Sequence, residues 1–326
     1  MTVGEKFGIN SPKPVCVGTG FIALDIVMDG RSAPPKFWAG GSCGNVLTIL
    51  SYLGWESYPI ARLGDDEAAV KLLRDMEKWK VRTSLVLRDR SAATPMIVLN
   101  PGRNRNGRSW RRSGPACPNY KTGLARYKPV LAQDVTTISR EMPGSQVFYF
   151  DQVSRSSIEL AKITRDRGAL VVFEPSEVKE AKLLTECLQV ADIVKYSHVR
   201  SGPVRELMRG RNVPLEIETL GAEGLKYCLR GAEWISMPAY AVEDVRDTVG
   251  CGDWCSAGII HILGRAGRKG FLEAEPEDID IALRFGQTLA ALSCQFEGPR
   301  GVMYRIPKQK FTILIRDIWH STTDKV

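Results

Sequence analysis

Apolar and polar positions along the chain follow two different periods. Short β-rich apolar runs at Val15–Gly18, Ser57–Arg62, Val147–Phe150, Ala169–Phe173, Ile193–Tyr196 and Leu215–Thr219 predict strands. Between them, apolar residues three and four apart predict helices over Gly44–Leu53, Asp66–Trp79, Ser156–Arg167, Lys179–Val190, Cys251–Gly264 and Asp278–Phe296. In the first of these, Val46, Leu47, Ile49, Leu50 and Leu53 form one apolar face. Strands alternating with helices are the pattern of a mostly parallel sheet covered by helices. Two extended pieces, Pro34–Trp38 and Thr94–Leu99, break the alternation and predict a small β element off that sheet. The stretch Asn100–Pro129, rich in Gly, Pro, Asn and Arg, reads as a long excursion, which in a compact domain is usually functional or disordered. The run Phe311–Ile315 predicts a final strand.

Composition narrows the class. The chain has 326 residues, 44% hydrophobic and 25% charged, enough for one large domain with a full core. No run approaches the roughly 20 apolar residues that span a bilayer. The first residues, MTVGEKFGINSPKP, lack the basic start and apolar run of a signal peptide, so a cytoplasmic protein is expected. Eight scattered cysteines without a CxxC pair fit reduced thiols, not a disulfide framework. The three histidines, His198, His261 and His320, have no serine-hydrolase surroundings, which argues against that class.

Charge is uneven. Between Ser91 and Gln133 there is no acid, yet Arg103, Arg105, Arg108, Arg111, Arg112, Lys121, Arg126 and Lys128 are present. These eight carry the whole net charge of +8, because the other basic side chains balance the 37 acids. The 103–112 stretch could clamp an anionic partner. With one aromatic in a short stripe it is a thin footprint for nucleic acid.

The segment most informative about chemistry is Asp247-Thr248-Val249-Gly250-Cys251-Gly252-Asp253, which runs into an apolar helix. Two glycines flanking a small residue at a loop-to-helix junction permit tight curvature and aim several N–H groups at one point. The helix dipole favours an anion there. A carboxylate at that point can take a proton from an attacking hydroxyl while the N–H groups hold phosphoryl oxygens. An isolated segment of this kind could equally be a capped turn.

The segment is not isolated. Gly18–Asp25 (GTGFIALD), Ala39–Asn45 (AGGSCGN), Arg62–Asp66 (RLGDD), Thr219–Gly224 (TLGAEG) and Asp247–Asp253 (DTVGCGD) occur in the order and spacing of the ribokinase-like PfkB carbohydrate kinases, and the chain resembles that family over roughly residues 14–305. The resemblance implies a three-layer α/β/α domain over 14–316, with a small β lid from segments 34–41 and 90–100, the basic insertion 101–129, and tails 1–13 and 317–326. It implies an ATP-dependent kinase acting on a hydroxyl of a sugar or nucleoside, with Mg²⁺. Asp253 would be the base, with Gly250, Cys251 and Gly252 supplying the anion hole. Asp25, Gly40, Gly41 and Asn45 would grip the substrate, and Trp254 would border it. Thr219, Gly221, Gly224, Ser197, Gln287 and Cys294 would face ATP. Asp247 and the Val249 carbonyl fall where some members bind a monovalent cation such as K⁺. Family lids often pair, so a homodimer through the lid is expected.

The family's NxxE motif is not matched. Ser197 stands for its asparagine and Arg200 for its glutamate. This departure leaves a second reading, a weak or inactive kinase fold that senses a sugar or nucleotide, or docks an anionic partner through the 103–112 loop.

Overall fold

The computed structural model describes residues 12–28, 34–99, 128–175, 180–200, 202–208, 210 and 213–320. The 103–112 loop, most of the basic insertion and the Arg200 side chain lie outside them.

The strands are β1 (Val15–Thr19), β2 (Ala23–Val27), β3 (Lys36–Gly40), β4 (Glu56–Gly64), β5 (Val86–Asp89), β6 (Met96–Leu99), β7 (Val147–Phe150), β8 (Leu170–Phe173), β9 (Ile193–Ser197), β10 (Leu215–Thr219), β11 (Leu225–Leu229) and β12 (Ile235–Met237). The helices are α1 (Ser42–Tyr52), α2 (Glu67–Lys78), α3 (Val135–Glu141), α4 (Arg155–Asp166), α5 (Ala181–Val190), α6 (Gly202–Met208), α7 (Cys251–Leu263), α8 (Gly267–Leu272), α9 (Pro276–Ser293), α10 (Gly301–Arg305) and α11 (Lys308–His320).

Among the described residues the main sheet has the order β12-β11-β10-β9-β8-β7-β1-β4-β5. From β10 to β5 every neighbouring pair is parallel, and β11 and β12 join antiparallel at one edge. The central strands are apolar on both faces, as burial between two helix layers demands. Their side chains divide by the two-residue period of a strand. Val147 and Tyr149 enter one core with α1, α7 and α9, while Phe148 and Phe150 enter the other with α3, α4 and α5. This is the expected three-layer α/β/α domain.

The helix pair α7 and α9 packs closely because both present glycine at the crossing. A Cβ on Gly258 would lie 2.7 Å from the Gly286 Cα. At the start of α2, Asp66 caps the helix by accepting from the Ala69 N–H at 2.9 Å, and its other oxygen takes the Thr94 N–H at 2.9 Å. One side chain thus ties a core helix to the chain leading into the lid.

The lid is a three-stranded sheet in the order β3-β2-β6. Its outer strands fall within the two expected segments. Its central strand, β2, was not anticipated, because Ala23–Val27 follows β1 so closely that the two read as one element. The strand expected at Phe311–Ile315 is instead part of helix α11. Phe311, Leu314, Ile315 and Ile318 turn inward at helical spacing, and that long-range packing overrides the β-branched character of the run.

Candidate active site

The parallel strands all end at one edge of the sheet, and chain order reverses between β1 and β7. In open α/β sheets a ligand crevice forms outside such a switch point. Here Asp151, directly after β7, stitches the crevice floor. Its Oδ1 accepts the Phe21 N–H at 2.7 Å and its Oδ2 the Cys43 N–H at 3.1 Å. Gly20 makes room for that carboxylate, since a Cβ there would sit 1.8 Å from Oδ1. Burial pushes the Asp151 carboxyl well above the usual carboxylate range, opposed by these two amides.

Above this floor lies a cleft of about 790 Å³. The lid and α1 line one side with Asp25, Gly41 and Asn45, and α7 with its loop lines another with Val249, Gly250, Gly252 and Asp253. Glu174 and Ser197 close it at the ends of β8 and β9. Segments separated by more than 200 residues therefore meet in one cavity.

Gly41 follows β3 and is the N-cap of α1. It has φ +76°, and a Cβ would strike the Phe21 carbonyl oxygen at 2.3 Å. Gly40 lies just behind the cleft, where its missing side chain leaves space for the Asp25 carboxylate. Asp25 is buried on the lid strand β2 at 3% exposure.

Gly250 is the N-cap of α7, at φ +83° in the left-handed region. Cys251, Gly252 and Asp253 form the first turn, whose N–H groups have no acceptors within the helix. Asp253 is therefore not the cap, as an isolated motif would have allowed. It is the third helical residue, and its Oδ2 accepts the Asn45 Nδ2–H at 2.7 Å. Burial, then the charge of Glu174, pushes the Asp253 carboxyl up to about 7, against the lowering effects of Asn45 and Lys195. A carboxylate tuned to neutral pH at a helix N-terminus can accept a proton beside a bound anion.

Not every expected site residue reaches the cleft. Trp254 is fully buried, with its indole N–H donating to the Pro299 carbonyl at 2.9 Å and its ring against Tyr52 and Phe311. The helical turn that aims Asp253 at the cleft rotates its successor into the core, so Trp254 does not line the cleft. Gln287 is also buried outside the cleft lining, with its Nε2 unpartnered among the described residues. Thr219 adjoins the rim through its hydroxyl, which donates to the Tyr196 carbonyl at 3.4 Å. Gly221 and Gly224 bound the short turn after β10. Cys294 lies at the end of α9, with its Sγ 3.0 Å from that of Cys251.

Asp247 braces the loop. Its two oxygens accept the Val249 N–H at 3.1 Å and the Gly298 N–H at 2.8 Å. Among the described residues no cluster of three or more His, Cys, Asp or Glu side chains could hold a metal ion.

Sequence reasoning missed four polar residues here: Glu174, Lys195, Arg300 and Asp75. Lys195 is a lysine within an otherwise apolar strand, and Glu174 directly follows another, so both carried a signal. Arg300, in the run Gly298-Pro299-Arg300-Gly301, is wholly buried.

Fold and cleft together define a ribokinase-like α/β/α architecture with its candidate base on a glycine-capped helix. No family model matches the chain. It is 25% identical over 309 residues to ribokinase of Bacillus subtilis, covering 89% of this chain and 96% of that protein. It is 24% identical over 316 residues to a fructokinase of Escherichia coli, covering 88% and 98%. The structure of a fructokinase with bound ATP from Xylella fastidiosa superposes with a TM-score of 0.70 at 18% identity, covering 94% of this chain and 99% of that one. The chain is thus similar in sequence to sugar kinases, ribokinase and fructokinase among them, and it shares their fold.

Proposed function

We propose that this protein transfers the γ-phosphoryl group of ATP to a hydroxyl, in particular a hydroxymethyl, of a sugar or nucleoside. The observation that carries the reading is Asp253. It is a buried carboxylate in the first turn of α7, held by Asn45 and pushed up to about 7, where the lid wall and the anion-binding loop meet.

Asp25 and Asn45 would receive the acceptor's hydroxyls from the lid side, since a carboxylate and an amide together can read a polyol. Asp253 would take the proton of the attacking hydroxyl as its oxygen moves onto phosphorus. Gly250, Cys251 and Gly252 would offer backbone N–H groups to the phosphoryl oxygens, the Cys251 N–H giving up its 3.3 Å hydrogen bond to the Thr248 carbonyl. Ser197, Thr219 and the turn 221–224 would flank the nucleotide. Mg²⁺ arriving with the nucleotide would neutralise its phosphate charge. A monovalent cation such as K⁺ would lie against Asp247 and the Val249 carbonyl. The lid strands leave Phe37 and Val98 only half-buried on the face away from the cleft, which supports pairing of two lids in a homodimer. A cytoplasmic setting belongs to the same reading. Among the described residues no helix is long and apolar enough to cross a membrane.

The test is ADP release by the wild type and Asp253→Asn, with Mg²⁺, ATP and a panel of sugars, nucleosides and sugar phosphates. Acceptor-dependent release in the wild type that is lost in the variant is expected. ATP binding with no acceptor phosphorylated would overturn the kinase reading and favour a binding role.

A further inference from the structure

A chain of buried side chains leads from the base of the lid to Asp253, and its inner members do not line the cleft. Arg300 is 0% exposed. Its Nη2 donates to Asp75 Oδ2 at 2.7 Å and to the Ala39 carbonyl, and its Nε donates to Asn45 Oδ1 at 3.2 Å. Asp75 is held in turn by the Ala39 N–H at 2.8 Å and the Tyr304 hydroxyl at 2.8 Å. Asn45 passes the chain on, with Nδ2 donating to Asp253 Oδ2 at 2.7 Å.

A primary amide has an accepting end and a donating end, so its orientation depends on its neighbours. Asn45 has a donor, the guanidinium, on one side and an acceptor, the carboxylate, on the other. Turned by half a rotation, it would set its oxygen against a carboxylate and its NH₂ against a cation. Only the observed orientation satisfies both. A buried ion pair such as Arg300–Asp75 is by itself weak as a stabilising device, so its place in the core needs a further reason.

We infer that Arg300 is a positioning residue for phosphoryl transfer: it locks the Asn45 amide in the orientation that holds Asp253, and Asp75 locks Arg300. The inference rests on the reading of Asp253 as base. The groups that otherwise face Asp253 are Glu174 after β8, Lys195 on β9, Asp25 on β2, Cys43 on α1, Tyr149 on β7 and Asp151 after it. Arg300 stays charged at every working pH, so it acts on Asp253 through the amide and not by its own titration. Because the Asn45 hydrogen bond lowers the Asp253 pKa, losing it moves that pKa upward.

The test follows the Asp253 carboxyl by ¹³C NMR in aspartate-labelled protein, its signal assigned by loss in Asp253→Asn, alongside kcat against pH. Arg300→Lys keeps a charge for Asp75 but loses the planar fork. It is expected to raise the Asp253 pKa by about 0.5–1 unit. It should also lower kcat at pH 7 about tenfold while leaving the KM for ATP within about twofold. Asn45→Ala should give the same pKa rise, and the double variant should add nothing to it. An unmoved Asp253 pKa in Arg300→Lys, or full additivity in the double variant, overturns the inference. Should Arg300→Lys fail to fold, Asp75→Asn loosens the anchor at similar volume. It is expected to shift the pKa the same way by less, and no shift there overturns the inference equally. If the NMR coupling holds but the wild type phosphorylates nothing, the kinase reading falls and the positioning chain stands.

Discussion

Lys195 Nζ lies 2.5 Å from Glu174 Oε1 and 3.2 Å from the Gly252 carbonyl oxygen. One buried ammonium therefore joins the ends of β8 and β9 to the first turn of α7. Burial works against its charge, yet Glu174 and neighbouring groups carry the Lys195 pKa above its ordinary value. Glu174 also takes hydrogen bonds from the Tyr149 hydroxyl at 3.2 Å and from Ser256.

Lys195→Met is expected to leave the Glu174 carboxylate without its cation and to release the Gly252 peptide. Breaking one side of a buried pair costs about 3–5 kcal/mol, and the lower figure is expected because Glu174 retains some solvent contact. Urea unfolding measures this. A loss under about 1 kcal/mol would show that Glu174 finds other partners.

Asp253→Asn is expected to abolish most turnover while stabilising the fold at alkaline pH. The folded pKa of about 7 lies above the usual 3.8. Between those values the folded state binds more protons than the unfolded one, so wild-type stability falls as pH rises through the window. The variant should gain about 2–4 kcal/mol over wild type at pH 8 and nothing near pH 3. Thermal melts across pH check the difference.

The pH dependence of turnover should follow the same group. A base must be ionised, so kcat/KM is expected to rise about tenfold per pH unit below the Asp253 pKa and to level above it. A profile flat from pH 5 to 8 would exclude a base titrating near 7.

Gly250→Ala should fail for two reasons at once. The residue has φ +83°, and a Cβ would meet Pro299 Cα and O at 2.5 Å. A backbone strain of about 1–3 kcal/mol, plus displacement of the loop, is expected to lower kcat more than it lowers stability. Comparing kcat with the unfolding midpoint separates these effects.

Trp254→Phe distinguishes a core role from a substrate role. The change leaves the buried Pro299 carbonyl without its donor, at a cost of about 1–3 kcal/mol. The KM for the acceptor should stay within about twofold, because the ring faces Tyr52 and Phe311. A large rise in KM with unchanged stability would return Trp254 to the substrate wall.

Residue order alone was enough for the alternating α/β plan and the glycine-rich turn before α7. It also sufficed for Asp25, Gly41, Asn45 and Asp253 as cleft residues. These are local matters: a strand's period, a glycine's permitted backbone, and short motifs whose chemistry needs a fixed spacing. Four features were decided only in three dimensions. These are the helix at Lys308–His320, the burial of Trp254, the Glu174–Lys195 pair, and the chain Asp75–Arg300–Asn45–Asp253. Each depends on contacts between distant segments. Arg300 and Asn45 are 255 positions apart, and their meeting is set by the packing of α1 against α7 and of the lid strand β3 against α2. A local pattern records which face of an element is apolar. It does not record which polar group from another element will lie against that face, and here that pairing decides how the Asp253 carboxylate is held.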